Sequence, residues 1–262
     1  MFIMKNKITA ILSFAFLLLA ARGLHADAVL DALLYRVDAA VSFAETDLSA
    51  EYQIVNRSPG GGSSSTVATM FRRDRTNQYL ILILEPVIDK GKGYLKEGDT
   101  LWLYDPVGRV FTFTSAKERF QNSGARNSDF SRSNYSEDYR AVSSTKEKLG
   151  AFSCTVLSLE ARTDKASFPK VKIWVSDGDD LVRKIEDYSL SGQLMRSTAI
   201  PSYQKVGNRW LPVSLVILDH LKSKTVAGKT EYERTTVSIK APSLKALPDY
   251  VYTKEYLERV AR

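Results

Sequence analysis

QYLILILEP (78–86) and TLWLYDPVGRVFTF (100–113) are the stretches on which the fold turns. Side chains of an extended chain alternate between faces. Along the first stretch, Leu80, Leu82 and Leu84 point one way, while Tyr79, Ile81 and Ile83 point the other. In the second, Trp102 and Tyr104 oppose Leu101 and Leu103. An antiparallel strand with one wet face keeps that face polar. These strands do not, so both faces need cover or one of them holds something apolar.

Similar short runs recur along the chain. Strands are predicted over 48–56, 67–74, 78–85, 100–104, 109–114, 153–161, 170–176, 182–190, 193–203, 209–219 and 232–240. The turn signals GKG, EGD, DPVG, SDGDD, LSG and VGN separate many of them, and strands at this spacing predict an antiparallel sandwich or barrel. Pro86 and Pro212 fall at strand ends or edges, where a missing amide donor is tolerated. SPGGGSSST (58–66) reads as a flexible loop between neighbouring strands. A helix is predicted over 29–43, where Leu30, Leu33, Leu34, Val37 and Val41 form one apolar stripe behind a possible N-cap at Asp27. Residues 115–150 are polar and Ser-rich, with Phe120, Phe130, Tyr135 and Tyr139 spaced along them. So long a loop is usually functional, and its aromatics predict short docked helices. LPDYVYTKEYLERVAR ends the sequence as a lead-in to a short helix, with Tyr252, Tyr256 and Val260 sharing its spacing.

The first residues predict export. Lys5 and Lys7 precede the apolar run ITAILSFAFLLLA, which is shorter than the roughly 20 residues of a membrane span. A signal peptide over 1–26 is expected, cut after Ala26 or Gly23, with one domain over 27–262. Without 1–26 the chain keeps 34 basic and 30 acidic residues, a net charge of +4. Those charges are scattered, whereas nucleic-acid binders cluster theirs, so no nucleic acid is expected.

Catalytic and metal signatures are lacking. His220 is the sole histidine beyond the signal and Cys154 the sole cysteine, and nothing in the sequence ties them together. Neither a metal-ligand cluster nor a cofactor motif is present. DGDD (177–180) lacks the remaining ligands of a calcium loop and reads as a β-turn. GKG (91–93) has no following Lys-Ser/Thr pair, so it is not a phosphate loop. A protein that is not an enzyme, and that carries no cofactor and no metal, is expected.

LEPVIDKGKGYLKEGDTLWLYDPVGRVFTF, followed by NSDFSRSNYSEDY and later by KVGNRWLPVSLVILD and VYTKEYLER, resembles the outer-membrane lipoprotein-sorting protein family, with its LolA- and LolB-like carriers. The carrying features are Pro86 with its GKG turn, the strand from Gly98-Asp99 to Trp102-Leu103-Tyr104, and Ser128-Asp129-Phe130. Two departures stand out: Asn127 replaces the family's Gly before Ser-Asp-Phe, and Asn134-Tyr135 replaces an acidic-Leu pair. Asn tolerates a left-handed backbone, so the first change is mild.

The resemblance implies a mainly β fold with some α: an incompletely closed antiparallel β-barrel of about eleven strands, with helices on its concave face as a lid. It implies an apolar cavity for acyl chains, assigned here to Leu80, Leu82, Leu84, Trp102, Tyr104, Phe111, Phe113, Phe130 and Trp174, and a lid bearing Leu30, Leu33, Leu34, Val37 and Phe120. Arg72, Arg73 and Arg109 are candidates for a guanidinium latch between lid and sheet. The function implied is a monomeric periplasmic carrier of lipids or lipoproteins, touching membranes transiently between an inner-membrane transporter and an outer-membrane acceptor. A regulatory or sensory lipid-binding protein on the same fold is the alternative.

Overall fold

The computed structural model describes residues 28–261; the expected signal peptide lies outside them. The described residues form one antiparallel sheet of thirteen strands and three helices. Strands β1 (Leu48–Arg57), β2 (Ser63–Arg73), β3 (Gln78–Glu85), β4 (Gly93–Glu97), β5 (Thr100–Asp105) and β6 (Val110–Phe113) form one meander. A second runs through β7 (Tyr139–Leu149), β8 (Phe152–Ala161), β9 (Lys170–Ser176), β10 (Val182–Tyr188), β11 (Leu194–Val206), β12 (Arg209–Val226) and β13 (Lys229–Ser243). β1 pairs with β13 and joins the two halves, leaving β6 and β7 as the free edges. The result is an incompletely closed barrel with a single break, and residues 114–138 carry the chain across it.

Two strands exceed the sequence reading. β4 lies between two turn signals and is only five residues long. β7 falls in the segment expected to be loop and short helix; as an edge strand with mostly exposed, polar residues it carries no alternation to read. β2 begins at Ser63, so the Ser-rich run is partly strand.

Helix α1 spans 28–40 and ends before the predicted 43. The chain then turns away, because the Phe43 N–H donates to Asp74 Oδ2 at 2.7 Å and the Phe43 ring enters a different part of the core. Leu33, Leu34 and Val37 of α1 pack on β8–β11 through Leu157, Val171, Ile173 and Ile200. This defines the inner, concave face. Farther along the same face, Phe120, Ala125 and Phe130 of the crossing segment bury against Tyr52, Tyr79, Ile81 and Tyr94. Gly124 permits that approach: its N–H donates to Thr235 Oγ1 at 2.7 Å, and a Cβ there would lie 2.9 Å from the same atom. The crossing segment also holds the short helix α2 (Tyr135–Asp138).

Helix α3 (Lys254–Val260) takes the other side of the sheet. Thr253 caps it, accepting the Tyr256 N–H. Leu257, outside the apolar stripe read from the sequence, buries against Leu80, Leu95 and Tyr104. A Cβ on Gly93 would meet Leu257 Cδ1 at 2.4 Å, so the GKG run serves helix packing. The doubly apolar strands are thus covered twice, by the crossing segment inside and by α3 outside.

Candidate ligand cavity

Between α1, the crossing segment and the inner face of β9–β12 lies a cavity of about 870 Å³. Its floor is apolar, with Val171, Val182, Ile185, Ile200, Leu215 and Ile217. Val37 and Val41 contribute from the α1 side, and Ser128, Asp129 and Ser131–Tyr135 from the crossing segment. A volume of this size, with an apolar floor and a polar, charged cover and rim, suits an amphiphilic small-molecule ligand.

Two charged latches hold the cover in place. Asp38, on α1, accepts Ser133 Oγ at 2.6 Å, the Tyr135 N–H at 3.0 Å, and the Ser136 N–H and Oγ at 2.8 and 2.7 Å. One buried carboxylate thereby satisfies the open amides at the start of α2 and ties α1 to the crossing segment. The second latch is Arg196 on β11. Its Nη1 and Nη2 grip the Asp129 carboxylate at 2.6 and 3.0 Å, and its Nε donates to Asp187 Oδ2 at 2.7 Å. Burial works against the Arg196 charge, but Asp129 and Asp187 outweigh it and hold the guanidinium more firmly protonated than usual. Burial also pushes the Asp187 carboxyl up, and Arg196 offsets only part of this. The Phe168 ring lies under Arg126 and Arg196, at 4.4 and 5.0 Å. Thr198, two residues along β11, also lines the cavity, and its buried hydroxyl has no partner among the described residues.

Sequence reasoning expected an arginine latch and named other arginines. Arg72 pairs with Asp74 at 2.7 Å, Arg73 bridges Asp47 and Asp249, and Arg109 sits at a positive φ of 52° in the β5–β6 turn. Arg196 was hidden because, in LMRST, it reads as a solvent-facing strand residue. Its signal is the cross-strand pairing with Asp187, visible only once the register is known.

The residues assigned to the cavity lie elsewhere. Leu80, Leu82, Trp102, Tyr104 and Phe111 pack on the outer face beneath α3. Phe113 is 73% exposed and stacks on Trp102 at 4.0 Å. Leu84 is half-buried on the same strand face as Leu80 and Leu82. Trp174 is buried against Cys154 and Val156 on the outer face of the other half-sheet, donating to Glu147 Oε2 at 2.9 Å. Phe130 does face inward, but it packs between Tyr52 and Phe120 and not on the cavity lining. Of the lid residues, Val37 lines the cavity, Leu30, Leu33 and Leu34 anchor α1 to the sheet, and Phe120 is fully buried in the core. Period-two alternation separates two faces without saying which is concave; on β3 the face of Tyr79, Ile81 and Ile83 is the inner one.

His220 accepts from or donates to Ser197 Oγ at 2.9 Å and packs by Tyr232, away from the cavity lining. Cys154 is buried, which pushes its thiol up. Asp177–Asp180 form the β9–β10 turn, where Asp179 pairs with Arg183 and Asp180 with Arg36 of α1. No helix among the described residues is long and apolar enough to cross a membrane.

A family model whose description reads "-like: Uncharacterized protein" matches residues 75–259. No curated protein matches the chain by sequence. Among the solved structures that match, three illustrate the shared fold. A LolA superfamily protein from Nitrosomonas europaea is 22% identical with a TM-score of 0.72, over 86% of this chain and 97% of that one. A putative outer membrane lipoprotein-sorting protein domain from Vibrio parahaemolyticus is 18% identical with a TM-score of 0.75, over 86% and 97%. A DUF1329 family protein from Desulfovibrio piger is 15% identical with a TM-score of 0.77, over 88% and 98%. At these identities the likeness establishes the fold.

Proposed function

The chain belongs to the family whose model spans residues 75–259 and has the fold of the LolA superfamily and lipoprotein-sorting domains, and from this we propose that it is a carrier of acyl chains. It works in the periplasm, moving lipids or lipoproteins from an inner-membrane transporter to an outer-membrane acceptor without covalent chemistry. The observation that carries this reading is the apolar floor of β9–β12 under a cover held by Asp38 and Arg196. Each buried methylene contributes about 0.8 kcal/mol, so a sixteen-carbon chain gains roughly ten before ordering costs. A cover that closes on itself through two latches competes with the ligand and keeps release feasible.

The test is native mass spectrometry on protein purified without detergent, with lipid extraction of the same sample. Discrete acyl-bearing adducts are expected for the wild type. They are expected to be lost in Leu215→Glu, which puts a carboxylate on the half-buried seam where both inner clusters meet. A clean apo mass with no uptake of added lipid would end the carrier proposal.

A further inference from the structure

Lys96 stands where the sheet calls for an apolar residue. On β4, Leu95 faces outward under α3 while Tyr94 faces the inner core, so Lys96 shares the inner face with Tyr94. Its cross-strand neighbours are Tyr79 and Leu101, both buried in that core. Lys96 is itself 8% exposed and lines the cavity.

Its ammonium has only neutral partners: Asn77 Oδ1 at 2.5 Å and the Asn77 carbonyl at 3.5 Å. The charged groups that face it are Asp99, Arg132, Asp138 and Lys165. Asp99 is taken up by Lys165 at 2.8 Å, Arg132 by Glu137, and Asp138 accepts from Asn134. Of the remaining cavity cations, Arg72 and Arg196 have carboxylate partners as well, and Lys117 is exposed and donates to the Asp164 carbonyl at 2.5 Å. Among the described residues, then, Lys96 is a buried cation without an ion pair, on the wall of an otherwise apolar-floored cavity. Burying such a charge is costly, and a fold that needed only packing would place a Met or Leu there.

We infer that the cavity selects an amphiphile with an anionic headgroup, a phosphate or a carboxylate, which Lys96 receives while the chain lies over the β9–β12 floor. The inference rests on the carrier reading and narrows its cargo. Lys96, Asn77 and Asp99 sit at the sheet end where the β2–β3 and β4–β5 turns lie, and the exposed Asp99–Lys165 pair marks this end as open to water. A headgroup there reaches both the ammonium and solvent. Burial brings the Lys96 amine down to about 8, so it remains mostly charged at neutral pH and loses its charge under mild alkali.

Three probes with the same oleoyl chain test this: lysophosphatidylglycerol, oleate and uncharged monoolein, followed by tryptophan fluorescence, Trp210 being the tryptophan in the cavity wall. A charge-assisted hydrogen bond predicts at least about tenfold tighter binding of an anionic probe than of monoolein. Lys96→Met should abolish that preference while leaving monoolein binding intact, which also reports that the variant folds; Lys96→Arg should retain it. With the unmodified protein, the preference for lysophosphatidylglycerol should vanish between pH 7 and pH 9.5. Preference for lysophosphatidylglycerol alone assigns a phosphate headgroup, and for oleate alone a carboxylate. Monoolein bound as tightly as both anions, or a preference that survives Lys96→Met, overturns the inference and leaves the carrier reading standing. Binding of no probe at all removes both.

Discussion

Lys96 has a measurable effect on the empty protein. Its amine falls from an ordinary 10.5 to about 8 on folding because burial disfavours the charge. Between these values the unfolded chain holds the proton more tightly than the native one, so stability rises with pH there, and the full penalty applies below pH 8. Lys96→Met is therefore expected to stabilise the ligand-free protein by up to about 3 kcal/mol at pH 7. The gain should shrink as pH approaches 10, a trend that urea melts at several pH values would measure. Arg196 predicts the opposite. Arg196→Leu leaves Asp187 buried and unpaired, and a loss of about 3–5 kcal/mol is expected in the same melts. Neither residue declared itself in the sequence: YLKEGD lies between two turn signals and LMRST reads as an ordinary surface strand, because an inward charge looks like an outward one until the register is fixed.

At the scale of elements, α1 and the crossing segment act as one cover. The four bonds into Asp38 join them more directly than any apolar contact. Asp38→Asn keeps the shape but substitutes a poorer acceptor. Hydrogen exchange should then accelerate over residues 28–40 and 131–138, while β1–β3 keep their protection. Uniform acceleration would mean instead that Asp38 supports the whole fold. The helix α1 was legible because its stripe repeats at 3.6 residues over three turns, and its end was not, since Asp74 captures Phe43 from thirty-one positions away. The hairpins were legible from their turns. β4 and β7 were not, the one being short and the other polar on both sides. Ser128-Asp129-Phe130 was recognised as a motif, and its parts now separate: Asp129 meets Arg196, Phe130 fills the core, and Ser128 Oγ bonds Ser167 at 2.8 Å.

At the scale of the molecule, the segment entering β1 and the one leading into α3 are tied to the sheet through Asp47. This buried carboxylate accepts Arg73, Arg75 and the Leu247 N–H, while Arg73 also reaches Asp249 ahead of α3. Burial raises the Asp47 carboxyl, but these bonds and charges more than compensate and hold it below the ordinary 3.8. A depressed carboxylate lends stability above its unfolded value and loses it as pH falls through the folded one. Acid unfolding should accordingly set in at a higher pH in Asp47→Asn than in the wild type, with α3 released early. The architecture as a whole was legible from turn spacing together with the family resemblance; the siting of the cavity was not, since it follows from how the sheet curls.

The single break between β6 and β7 gives the sheet the mechanics of a split ring closed by a strap. A complete barrel widens only by rupturing a ladder of backbone hydrogen bonds. Here the two edges can part without breaking any strand pairing, and residues 114–138 set how far. How far the interior can widen is then governed by the length and anchoring of that strap, whose shortening should restrict the opening before it disturbs the sheet.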